Sequence, residues 1–458
     1  MTAVATLNRP RAVNGDTRFA ITMIALHGRE FSPTVLVPEG ADSRDTVPLG
    51  PVCALMRQFG GLELHSIDVV SIGCRTPLNG RFTARYDEII GDRPAVGDRR
   101  TWLVLRLNPR ACMQALTYRG NIAEATAAAT ERIRQAAVRA GCRATTCSPN
   151  EMETATNILL GGHELSDYED HWSYLRARDE YVTPYRVAGR DLTTRLLNDV
   201  WSLRTTRTVT VIRLTRNDDG SVSAAALVRL HTTKPVPHPP MHTLHPVVGQ
   251  ARSALLASLP LGKRSVDLPL SYRRISFSSS RGQRLGDKST LLLPVGPSGF
   301  IIGMSDLGHP WLYPITDPLK FTRVAINASV EVVQRLILRA VAAGATGVVH
   351  TDRPEAWQPV TDERLALIDR LDRRGRATVM ISDLRSPQDA INGERGHALV
   401  IVNSTKPSEA DMMITQVSQT HLVLRLPATG REVELTIMRP RNETQVLSHL
   451  LNPGRNRR

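Results

Sequence analysis

The chain has 458 residues, 41% hydrophobic and 22% charged, enough to bury one large core or two ordinary ones and unlike a disordered polymer. Its formal charge is +14, but only five of the 58 basic residues are Lys, and the aromatics, 4% of the chain, are not interleaved with the Arg. That pattern argues against a base-stacking nucleic-acid platform, and leaves Arg-rich codon usage, an acidic partner or an anionic membrane face as the origin of the charge.

No stretch nears the roughly 18 consecutive apolar residues of a membrane span, and the five cysteines form no CxxC pair, as reduced, scattered thiols would. Residues 1–16 are polar and unpatterned and read as a flexible leader. Arg18 to Leu26 and Thr34 to Val37 read as two strands joined by His27-Gly-Arg-Glu, Val52 to Phe59 as a helix, and Leu62 to Ile72 as a further strand. Thr101 to Leu107 is a nearly unbroken apolar run, the signature of a strand covered on both faces. Cys112 to Ala140 then reads as one long Ala-rich helix ended by Gly141, with Ala128 within one turn of a buried line through Ala125 and Ala129. With a strand near Cys142 to Cys147, residues 99–147 make a βαβ-type unit.

Ser148-Pro149-Asn150-Glu151 reads as a helix start with a capping box, closed by Gly161-Gly162. Residues 200–230 read as an antiparallel hairpin across Asn217-Asp-Asp-Gly220. Five prolines within 234–246 exclude helix and central strand, so 233–250 is expected to be a linker or surface loop between lobes at 17–232 and 251–438. In the second lobe a hairpin is expected at 290–304, turning at Gly296-Pro-Ser-Gly299. Over 321–382 the pattern alternates β-α-β-α-β, with helices near Ser329 to Ala343 and Thr361 to Arg373, the first presenting Glu331, Arg335 and Arg339 on an exposed face. Residues 439–458 form a basic tail. The fold class expected is α/β, a mixed sheet with helices packed on it.

Candidate chemistry is thin. His238, His242 and His245, with His231 upstream, are the most metal-like cluster, but they lie in a proline-rich stretch with no Cys, Asp or Glu among them, a poor frame for a metal, and 238, 242 and 245 are expected to be loop residues. His163-Glu164 opens like HExxH, but position 167 is Asp and His171 comes eight residues after His163. Gly296-Pro-Ser298-Gly299-Phe300 lacks the last glycine of a nucleophile elbow, and Leu261-Gly-Lys263-Arg-Ser265 has Ala257 where a P-loop has its first glycine. Trp172, Tyr174, Tyr181 and Tyr185 suit a core or an interface better than a ligand site. No catalytic, cofactor-binding or metal residue, and no cofactor, is expected. A nucleotide or sugar-nucleotide transferase on such a scaffold is the enzymatic alternative.

Several stretches, in order, resemble EccE, the E component of the actinobacterial type VII or ESX secretion machinery. They are Glu30-Phe-Ser-Pro-Thr-Val-Leu-Val37, Arg99-Arg-Thr-Trp-Leu-Val-Leu-Arg106, Ala129-Thr-Glu-Arg-Ile133, Leu293-Pro-Val-Gly-Pro-Ser-Gly-Phe-Ile-Ile-Gly303 and Val341-Ala-Ala-Gly-Ala345. The resemblance implies a non-enzymatic subunit of a membrane complex, on the cytoplasmic face of the inner membrane beside the B, C and D components. Proteins of this family normally begin with two transmembrane helices. The expectation is therefore that an anchor is absent from this sequence or that the chain associates through its folded face, with its basic surface toward an anionic leaflet.

Overall fold

The computed structural model describes residues 19–38, 40–117, 121–262, 268–277, 290–370, 375–385, 393–403 and 409–451. The leader expected at 1–16 and residues 452–458 of the basic tail lie outside them. Two compact units interleave along the chain: the first takes its residues from 1–29, 45–74 and 99–296, the second from 30–44, 75–98 and 297–458.

The strands run β1 (Ala20–Gly28), β2 (Thr34–Val37), β3 (Gly40–Ser43), β4 (Ser66–Cys74), β5 (Asp98–Leu107), β6 (Arg143–Thr146), β7 (Glu169–Asp170), β8 (Leu175–Ala177), β9 (Glu180–Val187), β10 (Arg207–Arg216), β11 (Val222–Thr232), β12 (Leu244–Pro246) and β13 (Arg273–Ile275). They continue as β14 (Phe300–Met304), β15 (Pro310–Tyr313), β16 (Thr322–Asn327), β17 (Gly347–Thr351), β18 (Leu365–Leu367), β19 (Val379–Asp383), β20 (Ala398–Val402), β21 (Met412–Gln416), β22 (His421–Leu426) and β23 (Arg431–Thr436). The helices are α1 (Leu49–Cys53), α2 (Thr83–Ile90), α3 (Met113–Thr117), α4 (Ile122–Arg139), α5 (Pro149–Leu159), α6 (Thr194–Asp199), α7 (Ala251–Ala257), α8 (Val330–Ala342), α9 (Pro354–Trp357) and α10 (Arg441–Leu451).

In the first unit the sheet order is β6-β1-β5-β4-β10-β11-β9-β8-β7, with β12 beside β9 and β13 beside β11. Both β5 and β6 pair antiparallel with β1 between them, so they run parallel to each other and α4 makes the expected βαβ crossover. Leu103, Leu105 and Leu107 face Ala129, Ile133 and Ala137 of α4. Trp102 and Val104 face the other way, toward Met152, Ala155 and Leu159 of α5. Two covered faces explain the apolar run. The hairpin β10–β11 is as expected, in register from Arg207↔His231 to Arg216↔Val222.

The helix start at Ser148 also forms: its Oγ accepts from Glu151 N at 3.3 Å while Glu151 Oε2 accepts from Ser148 N at 2.6 Å. The helix at 112–140 is not continuous. Asn121 Oδ1 accepts from Glu124 N at 2.8 Å and starts α4 at Ile122, leaving α3 as a separate turn. Ala128 is exposed rather than beside the core, because the buried stripe runs through Thr126, Thr130 and Ala137 on the other flank of Ala129. Residues 233–250 do not separate the units. Leu244–Pro246 pairs with β9 at an edge position, where proline's missing N–H is tolerated, and 251–296 stay with the first unit.

In the second unit the order is β18-β17-β19-β20-β16-β21-β22-β23-β14-β15-β2-β3. From β18 to β21 the strands are parallel, and from β21 to β3 antiparallel. The sequence places β1 and β2 together, but they belong to different sheets. The helix expected at 361–373 is absent from its described residues, with 371–373 lying outside them. Asp362 Oδ1 instead accepts from Arg364 N (2.8 Å) and Leu365 N (2.9 Å), a turn that competes with helix and feeds β18. The hairpin expected at 290–304 is also corrected. Val47 N donates to Leu293 O (2.8 Å) and Val295 N to Asp45 O (3.0 Å) in the first unit, while β14 pairs with β15 and β23 in the second.

Helix α8 departs most from its amphipathic reading. Arg335 and Arg339 are each 1% exposed, not solvated, because the carboxylate of Glu443, itself 0% exposed, lies between them. Arg339 donates Nε to Glu443 Oε1 (2.8 Å) and Nη2 to Glu443 Oε2 and to Met438 O (both 2.7 Å); Arg335 Nη1 reaches Glu443 Oε2. The helix is thus buried on two sides, by the sheet and by the chain around α10.

Candidate functional site

Open parallel α/β sheets bind ligands at the carboxyl ends of their strands. In the second unit that place is held by Asp383, the last residue of β19 and 5% exposed. Its carboxylate accepts from Arg353 Nε (2.8 Å) and Nη2 (2.5 Å), Thr351 Oγ1 (3.0 Å) and Trp357 Nε1 (2.6 Å). Four donors leave this carboxylate little capacity for a metal or a substrate proton. The start of α8 is similarly engaged: Asn403 Oδ1 accepts from Ala328 N (3.2 Å) and Gln416 Oε1 from Ser329 N (3.0 Å).

The first unit holds a second group of titratable side chains, under the end of α5. Glu180, which opens β9, receives Arg207 Nη2 at 2.9 Å, with His231 Nδ1 at 3.1 Å and His163 Nε2 at 3.6 Å. Burial raises the Glu180 pKa, but His231, Arg207 and His163 outweigh it and hold the carboxyl at about 2. Burial dominates at His231, 0% exposed, and pushes it down to about 4, so Arg207 supplies the countercharge at neutral pH. Arg229 Nη2 closes the group by donating to Leu159 O at 3.0 Å. Gly161 makes room for it: with φ at +71°, a Cβ there would stand 2.7 Å from Glu180 Oε2. A Glu–His pair this enclosed can exchange no proton with a substrate unless the unit opens.

The residues singled out in the sequence do not converge. His163 faces Glu180, Asp167 Oδ2 accepts from Glu164 N at 3.0 Å, and His171 stacks on Tyr174 at 4.6 Å. His238 and His242 are exposed and His245 half-buried on β12. Among the described residues no group of three or more His, Cys, Asp or Glu side chains could hold a metal. Ser298 is 3% exposed and tied to Val96, donating its N to Val96 O (2.7 Å) and accepting from Val96 N on Oγ (3.2 Å). Gly299 is required by a close approach: a Cβ there would lie 2.1 Å from the Tyr313 carbonyl. Of the P-loop-like stretch, 263–265 fall outside the described residues. The five cysteines are free thiols, and burial pushes Cys53 and Cys147 up to about 12 and Cys142 to about 11, far from nucleophilic. Tyr185 is core at 1% exposed, Tyr174 and Tyr181 are half-buried, and Trp172 is 75% exposed.

A family model described as "Putative type VII ESX secretion system translocon, EccE" matches residues 95–187, which hold the βαβ unit and the aromatic stretch. The ESX-2 secretion system protein EccE2 of Mycobacterium tuberculosis (strain CDC 1551 / Oshkosh) is 28% identical over 406 residues, 86% of this chain and 71% of that protein. This chain is homologous to the EccE proteins. The ESX-5 secretion system protein EccE5 of M. tuberculosis (strain ATCC 25618 / H37Rv) is 30% identical over 55% of this chain, and the ESX-1 secretion system protein EccE1 of Mycolicibacterium smegmatis 27% identical over 73%. The match spans 64% and 63% of those two EccE proteins, a little under two thirds of their length. No helix among the described residues is long and apolar enough to cross a membrane.

The sequence does not single out the Asp383 group, and of the Glu180 group it singles out His163 and His231 for metal patterns that the structure does not form, not for their meeting at Glu180. Asp383 had a local signal, an acid closing a buried apolar strand in an α/β pattern. Glu180 had none, since its partners lie up to 51 residues away along the chain and meet only through sheet register.

Proposed function

We propose that this chain is a structural, non-enzymatic subunit of a type VII (ESX) secretion complex at the cytoplasmic membrane, with its folded units on the cytosolic side beside the B, C and D components. The observation that carries the reading is the extent of the homology, 86% of this chain against an ESX-2 EccE protein. The state of the two titratable groups supports it. A transferase needs a base or a metal-holding carboxylate facing a cleft, whereas Asp383 is engaged by four donors and Glu180 is enclosed.

Co-expression with the B, C and D components, followed by washing of the membranes in high salt, tests the reading. Attraction of a basic chain to anionic lipid is screened over about 8 Å at physiological salt, and a packed protein interface is not. Salt should strip the chain from pure anionic vesicles and leave it bound where the three components are present. A chain that co-purifies with none of them refutes the proposal. Stabilisation by a nucleotide or nucleotide sugar, about 2.7 kcal/mol at a hundred times the dissociation constant, would then favour the transferase.

A further inference from the structure

The first unit carries an exposed feature that neither its packing nor the reading above uses. Trp172 lies in the turn between β7 and β8, 75% exposed, with Val248, 50% exposed, on the neighbouring segment. The turn is held in place: Trp172 O accepts from Gly249 N at 2.6 Å, and a Cβ on Gly249 would stand 3.2 Å from the indole ring. A large rigid aromatic in water forgoes the gain from burying its apolar surface, and Trp is the residue most enriched where proteins dock.

Along the chain its neighbours have the opposite charge to the rest, and acids outnumber the cations that meet them, Arg176 opposite Glu169 on β8 and Arg252, which donates to Leu165 O and Tyr168 O. Between Glu164 and Tyr174 stand Glu164, Asp167, Glu169 and Asp170 and no Lys or Arg, in a chain of net charge +14. All four acids are exposed. Asp170 and Glu169 form β7, the last strand on this side of the sheet among the described residues. Carboxylates on a sheet edge also deter edge-to-edge pairing, but that role does not account for an exposed Trp beside them.

We propose that this edge, formed by β7, the Trp172 turn and Val248, is a docking surface for a basic segment of a partner protein that carries apolar side chains. The proposal rests on the subunit reading and gives it a contact surface. The apolar side chains of the segment cover Trp172 and Val248, and its cationic side chains meet the four carboxylates. Charge selects the partner's sign, because an acidic segment would be drawn to the many arginines elsewhere on the chain and repelled here.

The test uses the whole chain and three fluorescein-labelled octapeptides, alternating Arg-Leu, Arg-Ser and Glu-Leu, followed by anisotropy at physiological salt. The Arg-Leu peptide should bind despite the like net charge of the chain, more tightly than Arg-Ser, with affinity falling as salt rises. Trp172→Ala should weaken it at least tenfold. Glu169→Lys with Asp170→Lys, at exposed positions that leave the core intact, should do the same, and circular dichroism verifies the fold of both variants. Binding that is absent, equal for the two Arg peptides, or unchanged in both variants overturns the proposal. Self-association of the chain without peptide, lost on Trp172→Ala, also overturns it by putting a second copy on the surface. Because no secretion component is present, failure here leaves the subunit reading to the co-purification experiment.

Discussion

At the scale of single residues, the charged groups inside the two units decide most. Replacing Glu443 by Gln would leave the buried Arg339 guanidinium without its carboxylate and Arg335 with only the half-exposed Glu331, at a cost of about 3–5 kcal/mol. The cost of Arg335→Ala is smaller, because Arg339 still neutralises Glu443, but it is not the near-zero effect of a solvated arginine. Urea denaturation of both variants checks the order. His231 gives a pH signature. Its pKa falls from 6.5 to about 4 on folding, so as pH drops the unfolded chain takes up the proton first. The stability due to the neutral ring is full above pH 6.5 and is lost between 6.5 and 4, about 3 kcal/mol in all. Glu180 acts lower, its contribution fading from its ordinary 4.5 toward about 2. His231→Gln should flatten the melting-temperature profile in the upper window and, by removing one of the groups that hold the Glu180 carboxyl down, narrow the lower one as well.

At the scale of elements, α4 sets a sharp contrast. Ala129 is fully buried against β5 and its neighbour Ala128 is exposed. Ala129→Glu should therefore cost several kcal/mol, while Ala128→Glu stays within about 0.5 kcal/mol; thermal melts of the pair report the helix register directly. Such elements show what was legible in the sequence. The run Thr101 to Leu107 announced a strand covered twice, and Ser148 with Glu151 announced a helix start, because the relevant partners are the next few residues. The exposed face assigned to α8 failed for the opposite reason. Its periodicity records one covering layer, and the carboxylate that lets Arg335 and Arg339 be buried comes 108 and 104 residues later. The helix drawn over 361–373 failed on a single Asp362 side chain, whose two backbone hydrogen bonds outweigh a weak helical pattern. Of the candidate sites, the aromatic stretch was visible as composition, but which of its rings is core and which meets water was not, since that depends on how β8, β9 and β12 pair.

At the scale of the whole molecule, proximity in sequence is a poor guide to membership of a unit. The second unit draws Phe31, Leu36, Phe82, Tyr86 and Ile90 from segments that precede most of the first. Residues 297–458 made alone would lack β2, β3 and α2, and should show weak amide protection and bind a dye for exposed apolar surface. Addition in trans of 30–44 and 75–98 as peptides should restore little, because closing the unit then costs the entropy of two further molecules. The same interleaving bears on biosynthesis. A ribosome extends a chain at about 5–20 residues per second, so residues 30–44 and 75–98 emerge roughly 10 to 50 seconds before residue 297 begins the rest of their unit. During that interval their apolar side chains have no core to enter. Those two short segments, rather than the long apolar strand β5, are where a nascent-chain chaperone should hold this protein.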